Sequence, residues 1–161
     1  MAMQIEKTED LSLICAQLDA LLTGESDLIA NLANTSALLN EVLPEVNWVG
    51  FYLLKHNELV LGPFQGRVAC TRIPLHKGVC GHAATLKQTV VVDDVHQFEG
   101  HIACDSASNS EIVIPIIKDE TLVGVLDIDS PITHRFSTTD REFLENIVRI
   151  LERHLIIVSD K

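Results

Sequence analysis

Glu111-Ile112-Val113-Ile114-Pro115-Ile116-Ile117-Lys118, then Asp119-Glu120, then Thr121-Leu122-Val123-Gly124-Val125-Leu126-Asp127-Ile128-Asp129 is the stretch that decides the fold. Two β-branched runs of nearly equal length flank a short acidic turn, the pattern of an antiparallel hairpin. Equal arms place Glu111 opposite the Asp127 to Asp129 end. The strand period of two sends Asp127 and Asp129 to one face. Three carboxylates therefore gather at the open end of the hairpin.

Upstream, Asn47 to Leu54 reads as an aromatic and β-branched strand, and Leu59 to Phe64 as its partner, leaving the pairing near Pro63. Arg67 to Pro74 reads as another strand, carrying Cys70. A glycine-led turn from His76 enters a short helix ending near Leu86, with Cys80 in its first turn. A helix N-terminus lowers a thiol's pKa, because its backbone dipoles favour the thiolate. Gln88 to Val92 is a buried-type strand, and residues 93–110 show no periodicity. A loop of that length in a compact domain is usually functional or disordered, and its His96, Phe98, His101 and Cys104 argue against disorder.

Helical periodicity opens and closes the chain. Leu11, Ile14, Cys15, Leu18, Leu21 and Leu22 form one apolar stripe, with Gly24 as its stop. Ser26 or Asp27 caps a second helix that Pro44 closes. Thr139 and Glu142 have capping-box spacing at the head of a C-terminal helix bearing Phe143, Ile147, Ile150 and Leu151. With no repeat, linker or low-complexity segment, this order predicts one α+β domain over residues 1–161, built on a mostly antiparallel sheet.

At 161 residues and 47% hydrophobic content the chain can bury a real core. Its net charge of −11 repels phosphate backbones and anionic lipid, which disfavours nucleic acid and membrane as partners. No apolar run approaches the roughly 20 residues of a bilayer span, and the N-terminus lacks a signal-peptide pattern, so a cytoplasmic address is expected.

Cys104 lies in the small polar run His101-Ile102-Ala103-Cys104-Asp105-Ser106-Ala107-Ser108, a setting that suits reversible thiol oxidation. Cys70 and Cys80 are candidate resolving thiols. No C-x2-C pair is present, which disfavours structural zinc, and no oxyanion-hole motif supports a protease-like Cys–His pair. Glu111, Asp127 and Asp129 are either a solvated rim or the seat of a cation such as an amino acid's ammonium group. Trp48 and Tyr52 share a strand face with Gly50 between them, so they either fill core or wall a ligand.

The chain resembles a GAF domain of the free methionine-(R)-sulfoxide reductase type. The resemblance rests on Gly78-Val79-Cys80-Gly81, Val91-Val92-Asp93-Asp94-Val95, Cys104-Asp105-Ser106-Ala107-Ser108, Ser110-Glu111-Ile112-Val113-Ile114-Pro115 and Gly124-Val125-Leu126-Asp127-Ile128-Asp129-Ser130. The order Cys70, Cys80, Cys104 adds to it. It implies N- and C-terminal helices on one sheet face and a ligand pocket on the other. It implies that Cys104 attacks the sulfoxide sulfur, that Cys70 is the principal resolving thiol, and that Cys80 also takes part in disulfide exchange. Glu111, Asp127 and Asp129 are then expected to hold the substrate ammonium and protonate the sulfoxide oxygen, with Trp48 and Tyr52 around the S-methyl group. Free methionine sulfoxide is the expected substrate and thioredoxin the expected reductant, with no bound cofactor and a homodimer admitted. The alternative is a non-catalytic GAF module that senses a small ligand or redox state.

Overall fold

The computed structural model describes residues 7–102 and 107–156. Helices α1 (Lys7–Leu22) and α2 (Leu28–Val42) lead into β1 (Trp48–Lys55), β2 (Glu58–Gly66) and β3 (Arg72–Pro74). Helix α3 (Gly78–Leu86), β4 (Val90–Val92) and a single 3-10 turn (Val95–Gln97) follow. The hairpin β5 (Ser110–Lys118) and β6 (Thr121–Ser130) comes next, and α4 (Thr138–His154) ends the succession.

Local chemistry accounts for the boundaries. Asp27 caps α2 by accepting the Ala30 N–H at 2.9 Å, and Leu43 is already extended ahead of Pro44, as a residue before proline prefers. Both tight hairpins turn on two residues with positive φ, His56 and Asn57 in one and Asp119 and Glu120 in the other. That handedness matches the twist of the flanking strands. All strand pairs are antiparallel, in the order β3-β2-β1-β6-β5-β4.

Alternation divides the sheet into two faces. Val49, Phe51 and Leu53 of β1, Ile112, Ile114 and Ile116 of β5, and Leu126 and Ile128 of β6 enter one core with α1, α2 and α4. Each such side chain contributes roughly 1.5–3 kcal/mol on burial. Trp48, Tyr52, Val113 and Val125 point to the other face, beneath α3 and the segment after β4. The expected arrangement, terminal helices on one face and a pocket on the other, is the one observed. None of the described helices is long and apolar enough to cross a membrane.

Three expectations are corrected. β2 does not end at Pro63 but continues to Gly66, because Gly62 and Pro63 lie in a bulge opposite β1 and pairing resumes at Phe64. The strand expected from Arg67 to Pro74 is confined to Arg72–Pro74, and 67–71 is irregular. The cap of α4 is Ser137 with Asp140, not Thr139 with Glu142. Asp140 is held there because its Oδ2 also receives Arg135 Nη1 at 3.0 Å.

Candidate active site

The register of three adjacent strands assembles the acids. Asp129 of β6 pairs with Glu111 of β5 on one side and with Trp48 of β1 on the other. Asp127, two residues back on the same face, lies between Val113 and Gly50. A solvated rim is ruled out: Glu111 and Asp127 are each 6% exposed and Asp129 is 9% exposed, covered from above by α3 and the 101–102 and 107–108 flanks.

Burial sets the protonation of this cluster. Desolvation, then the negative charges of Asp127 and Asp129, push the Glu111 carboxyl well above the usual carboxylate range. Burial also raises Asp127, but hydrogen bonding from Glu111 and Cys80 works against that rise by favouring its ionised form. The pair therefore divides its labour, with Glu111 the preferred acid and Asp127 the preferred carboxylate. Asp127 Oδ1 is buried without a hydrogen-bond partner. Such an oxygen costs about 1–3 kcal/mol unless something binds it, so the cluster is electrostatically incomplete as it stands.

Cys80 corrects the expectation of an activated thiol. It does lie in the first turn of α3, but it is a fully buried free thiol beside the acids. Burial, then Asp127, Glu111 and Asp129, push it well above the usual thiol range. The helix dipole is outweighed, since a turn of backbone supplies only about half a unit charge against two or three nearby carboxyls. Gly78 opens the helix at φ +63°, and Ile102 packs 3.2 Å from where its Cβ would stand. Only glycine combines that φ with that contact at no cost.

The aromatic residues both wall the site and tether a loop. Trp48 and Tyr52 lie nearly parallel with ring centroids 5.9 Å apart, and Trp48 stacks on Phe64 at 5.1 Å. Trp48 Nε1–H donates to the Arg67 carbonyl at 3.1 Å, and the Tyr52 hydroxyl donates to the Cys70 carbonyl at 2.8 Å. Burial and then the charge of Asp127 raise the Tyr52 pKa, so it remains a phenol and a donor. Cys70, at the end of this tethered loop, is disulfide-bonded. The same rings fill a core and line the pocket.

A small cavity of about 40 Å³ sits between these walls and the acids. The structure brings Trp48, Tyr52, Cys80, Glu111, Asp127 and Asp129 to its lining. Cys70 is next to Ala69, which also lines it, while Cys104 lies outside the described residues. His101 and Ser108 line the cavity too and had not been assigned to a substrate pocket. His101 Nε2 stands 4.0 Å from Glu111 Oε1, and burial, then His96, lowers its pKa, so the imidazole is neutral and can accept or donate. The Asn47 side-chain amide donates to Ser108 Oγ at 3.1 Å. The signal for both was their position beside Cys104 in a polar loop, which periodicity does not resolve.

The GAF domain family model matches residues 19–155. The chain is 51% identical over 157 residues to the free methionine-R-sulfoxide reductase of Escherichia coli, covering 98% of this chain and 95% of that protein. The reduced form of the fRMsr of Staphylococcus aureus superposes with a TM-score of 0.89 at 57% identity, over 91% of this chain and 95% of that one. The free methionine-R-sulfoxide reductase of Neisseria meningitidis, solved with its substrate, gives a TM-score of 0.87 at 46% identity over 89% and 87% of the two chains. Sequence identity at this level over nearly the whole length, on a sheet whose pocket face gathers the acids and the aromatics, has one reading: the chain belongs to the GAF-domain family of free methionine-(R)-sulfoxide reductases.

Proposed function

We propose that the chain reduces free L-methionine (R)-sulfoxide to L-methionine by thiol chemistry at the pocket above β1, β6 and β5. The observation that carries this reading is the buried acid cluster, with one proton-bearing carboxyl and one orphaned carboxylate oxygen. A free amino acid supplies the partner that Asp127 Oδ1 lacks: its ammonium pairs with Asp127 in the field of the neighbouring Asp129, whereas a peptide nitrogen brings no charge. The cavity as it stands holds only a few waters, so substrate entry moves the covering 101–102 and 107–108 flanks outward.

Sulfoxide sulfur is a poor electrophile until its oxygen is protonated or hydrogen-bonded, which is the role assigned to Glu111. The Cys104 thiolate attacks that sulfur while the oxygen takes up a proton. Transfer of the oxygen to the thiol releases methionine and leaves Cys104 as a sulfenic acid. The Cys70 thiol then attacks the sulfenic sulfur, expelling water and closing a Cys70–Cys104 disulfide. Two observations support these roles: Ile102 and Ser108, on either side of the segment that carries Cys104, both line the cavity, and Cys70 is oxidised while Cys80 is free. Cys80 serves as an auxiliary thiol. A cytoplasmic dithiol reductant of the thioredoxin class returns the enzyme to its dithiol form, and the chain works without a bound cofactor. A homodimer completes the reading.

The test couples thioredoxin, its reductase and NADPH to each sulfoxide epimer. NADPH loss is expected with the R epimer alone and is abolished in Cys104→Ser. Equal rates on both epimers, or turnover retained in Cys104→Ser, overturn the assignment.

A further inference from the structure

The sequence holds no C-x2-C pair, which argues against a structural zinc site. Folding creates a different set. Cys80 comes from α3, Glu111 from β5 and Asp127 from β6, and their Sγ and carboxylate oxygen atoms all lie within 4.8 Å of one another. All three side chains are buried. Donors around one four-coordinate zinc stand roughly 3.5 Å apart, so small rotamer changes close the set. The second observation is independent of that proximity: Asp127 Oδ1 is buried, lacks any hydrogen-bond partner and belongs to the cavity lining.

We propose that Cys80, Glu111 and Asp127 form a binding site for a zinc ion, and that its occupation excludes the amino-acid substrate. The donor chemistry selects the metal. One sulfur with two carboxylate oxygens suits a borderline ion, whereas calcium demands six to eight oxygens that this small cavity does not offer. Binding forms one Zn–S and two Zn–O bonds and sends the Cys80 thiol proton and the carboxyl proton of the Glu111–Asp127 pair to solvent. His101 Nε2, 4.0 Å from Glu111 Oε1, is the adjacent nitrogen for the fourth position. Zinc and a substrate ammonium would both engage Asp127, so they compete. That competition rests on the proposed substrate; the metal site does not.

The metal site is tested without turnover, in the full chain carrying Cys70→Ser and Cys104→Ser, so that neither redox thiol can contribute. Titration with Co2+ or Cd2+ is expected to give a thiolate-to-metal charge-transfer band saturating at one ion per chain and displaced by Zn2+. Adding Cys80→Ser abolishes the band, and adding Cys15→Ser leaves it. Asp127→Asn, checked for unchanged circular dichroism, weakens binding by about tenfold or more. Absence of the band, or a band that survives Cys80→Ser, overturns the site. In the wild-type chain under thioredoxin-coupled turnover, Zn2+ is expected to raise the apparent KM for the sulfoxide and leave kcat unchanged. A bound metal with an unaltered KM overturns the exclusion of substrate.

Discussion

Gly50→Ala tests whether the pocket wall is set by a backbone position rather than by the aromatic rings themselves. A Cβ on Gly50 would stand 2.3 Å from Phe64 Cβ, 2.9 Å from Phe64 Cα and 2.7 Å from Trp48 Cη2. The first two contacts cannot be relieved by rotating a side chain, since Cα and Cβ move only with the backbone of β2. Gly50 and Phe64 are direct partners in the ladder, so separating them opens the pairing next to the Gly62–Pro63 bulge. Overpacking of a dense core costs about 1–3 kcal/mol, and a backbone-limited clash belongs at the upper end. For a chain of this length about 3 kcal/mol lowers Tm by roughly 6–12 °C. The third contact displaces the indole and strains its 3.1 Å hydrogen bond to the Arg67 carbonyl. Losing about 1 kcal/mol there corresponds to a rise in KM of about fivefold, if the wall binds substrate. Thermal melting measures the first effect. Steady-state kinetics well below the shifted Tm measure the second. A variant with Tm within about a degree of wild type and an unchanged KM would refute the argument, because it would mean that β2 yields freely.

Three further substitutions probe separate parts of the structure. Glu111→Gln removes an acid that keeps its proton when folded and loses it near the ordinary carboxyl range when unfolded; stability from this group falls as pH rises through the unfolded value. The variant is therefore expected to gain about 1 kcal/mol in denaturant melts at neutral pH, to lose that gain below the ordinary carboxyl range, and to lose turnover; lower stability at neutral pH would contradict this. Tyr52→Phe keeps the ring and deletes the hydrogen bond to the Cys70 carbonyl, worth about 1 kcal/mol. Single-turnover methionine release should be unaltered while disulfide closure, followed by thiol alkylation, slows; equal closure rates count against the tether. Ser137→Ala should lower stability by about 1 kcal/mol with activity intact, while Thr139→Ala changes little; the reverse ranking would restore the sequence-based cap.

The legible parts of this fold are those governed by a period. Two β-branched runs of nearly equal length gave the hairpin and its register, and the alternation of side chains along a strand put Asp127 and Asp129 on one face, because a slip of one residue would turn every side chain to the other face. The same alternation placed Trp48 and Tyr52 correctly, since β1 continues the sheet beside β6. What failed depended on tertiary partners. Pro63 reads as a strand end, yet a bulge absorbs it and lets Phe64 reach Trp48. Thr139 has good capping spacing, but Arg135 fixes Asp140 and makes Ser137, two residues earlier, the cap. The lining roles of His101 and Ser108 were illegible because the described residues of 93–109 carry no strand or α-helix whose period would orient a side chain.

Charge is what the sequence left open, and burial explains the site. Acids at a hairpin's open end are solvated in most proteins, where their repulsion costs little. Here α3 and the 101–102 and 107–108 flanks cover that end, so the repulsion is felt in a dry environment and desolvation dominates. The fold answers with partial neutralisation: burial pushes Glu111 and Cys80 well toward their neutral forms, while hydrogen bonds from both favour the charge on Asp127, one of whose oxygens is unsatisfied. Each departure from a stable core is also a capacity. A retained proton can be given to a sulfoxide oxygen, and an unsatisfied carboxylate draws a cation. The same helix N-terminus that sequence suggested would activate Cys80 delivers it instead into acids that silence it. The proposed reaction therefore assigns the nucleophile to Cys104 rather than to Cys80. The aromatic tethers complete the division, since Tyr52 fixes the carbonyl of Cys70 with the ring that also walls the acids. In the proposed reaction, binding, proton supply and disulfide closure are coupled through one strand face, and a perturbation at Gly50 should be felt in all three.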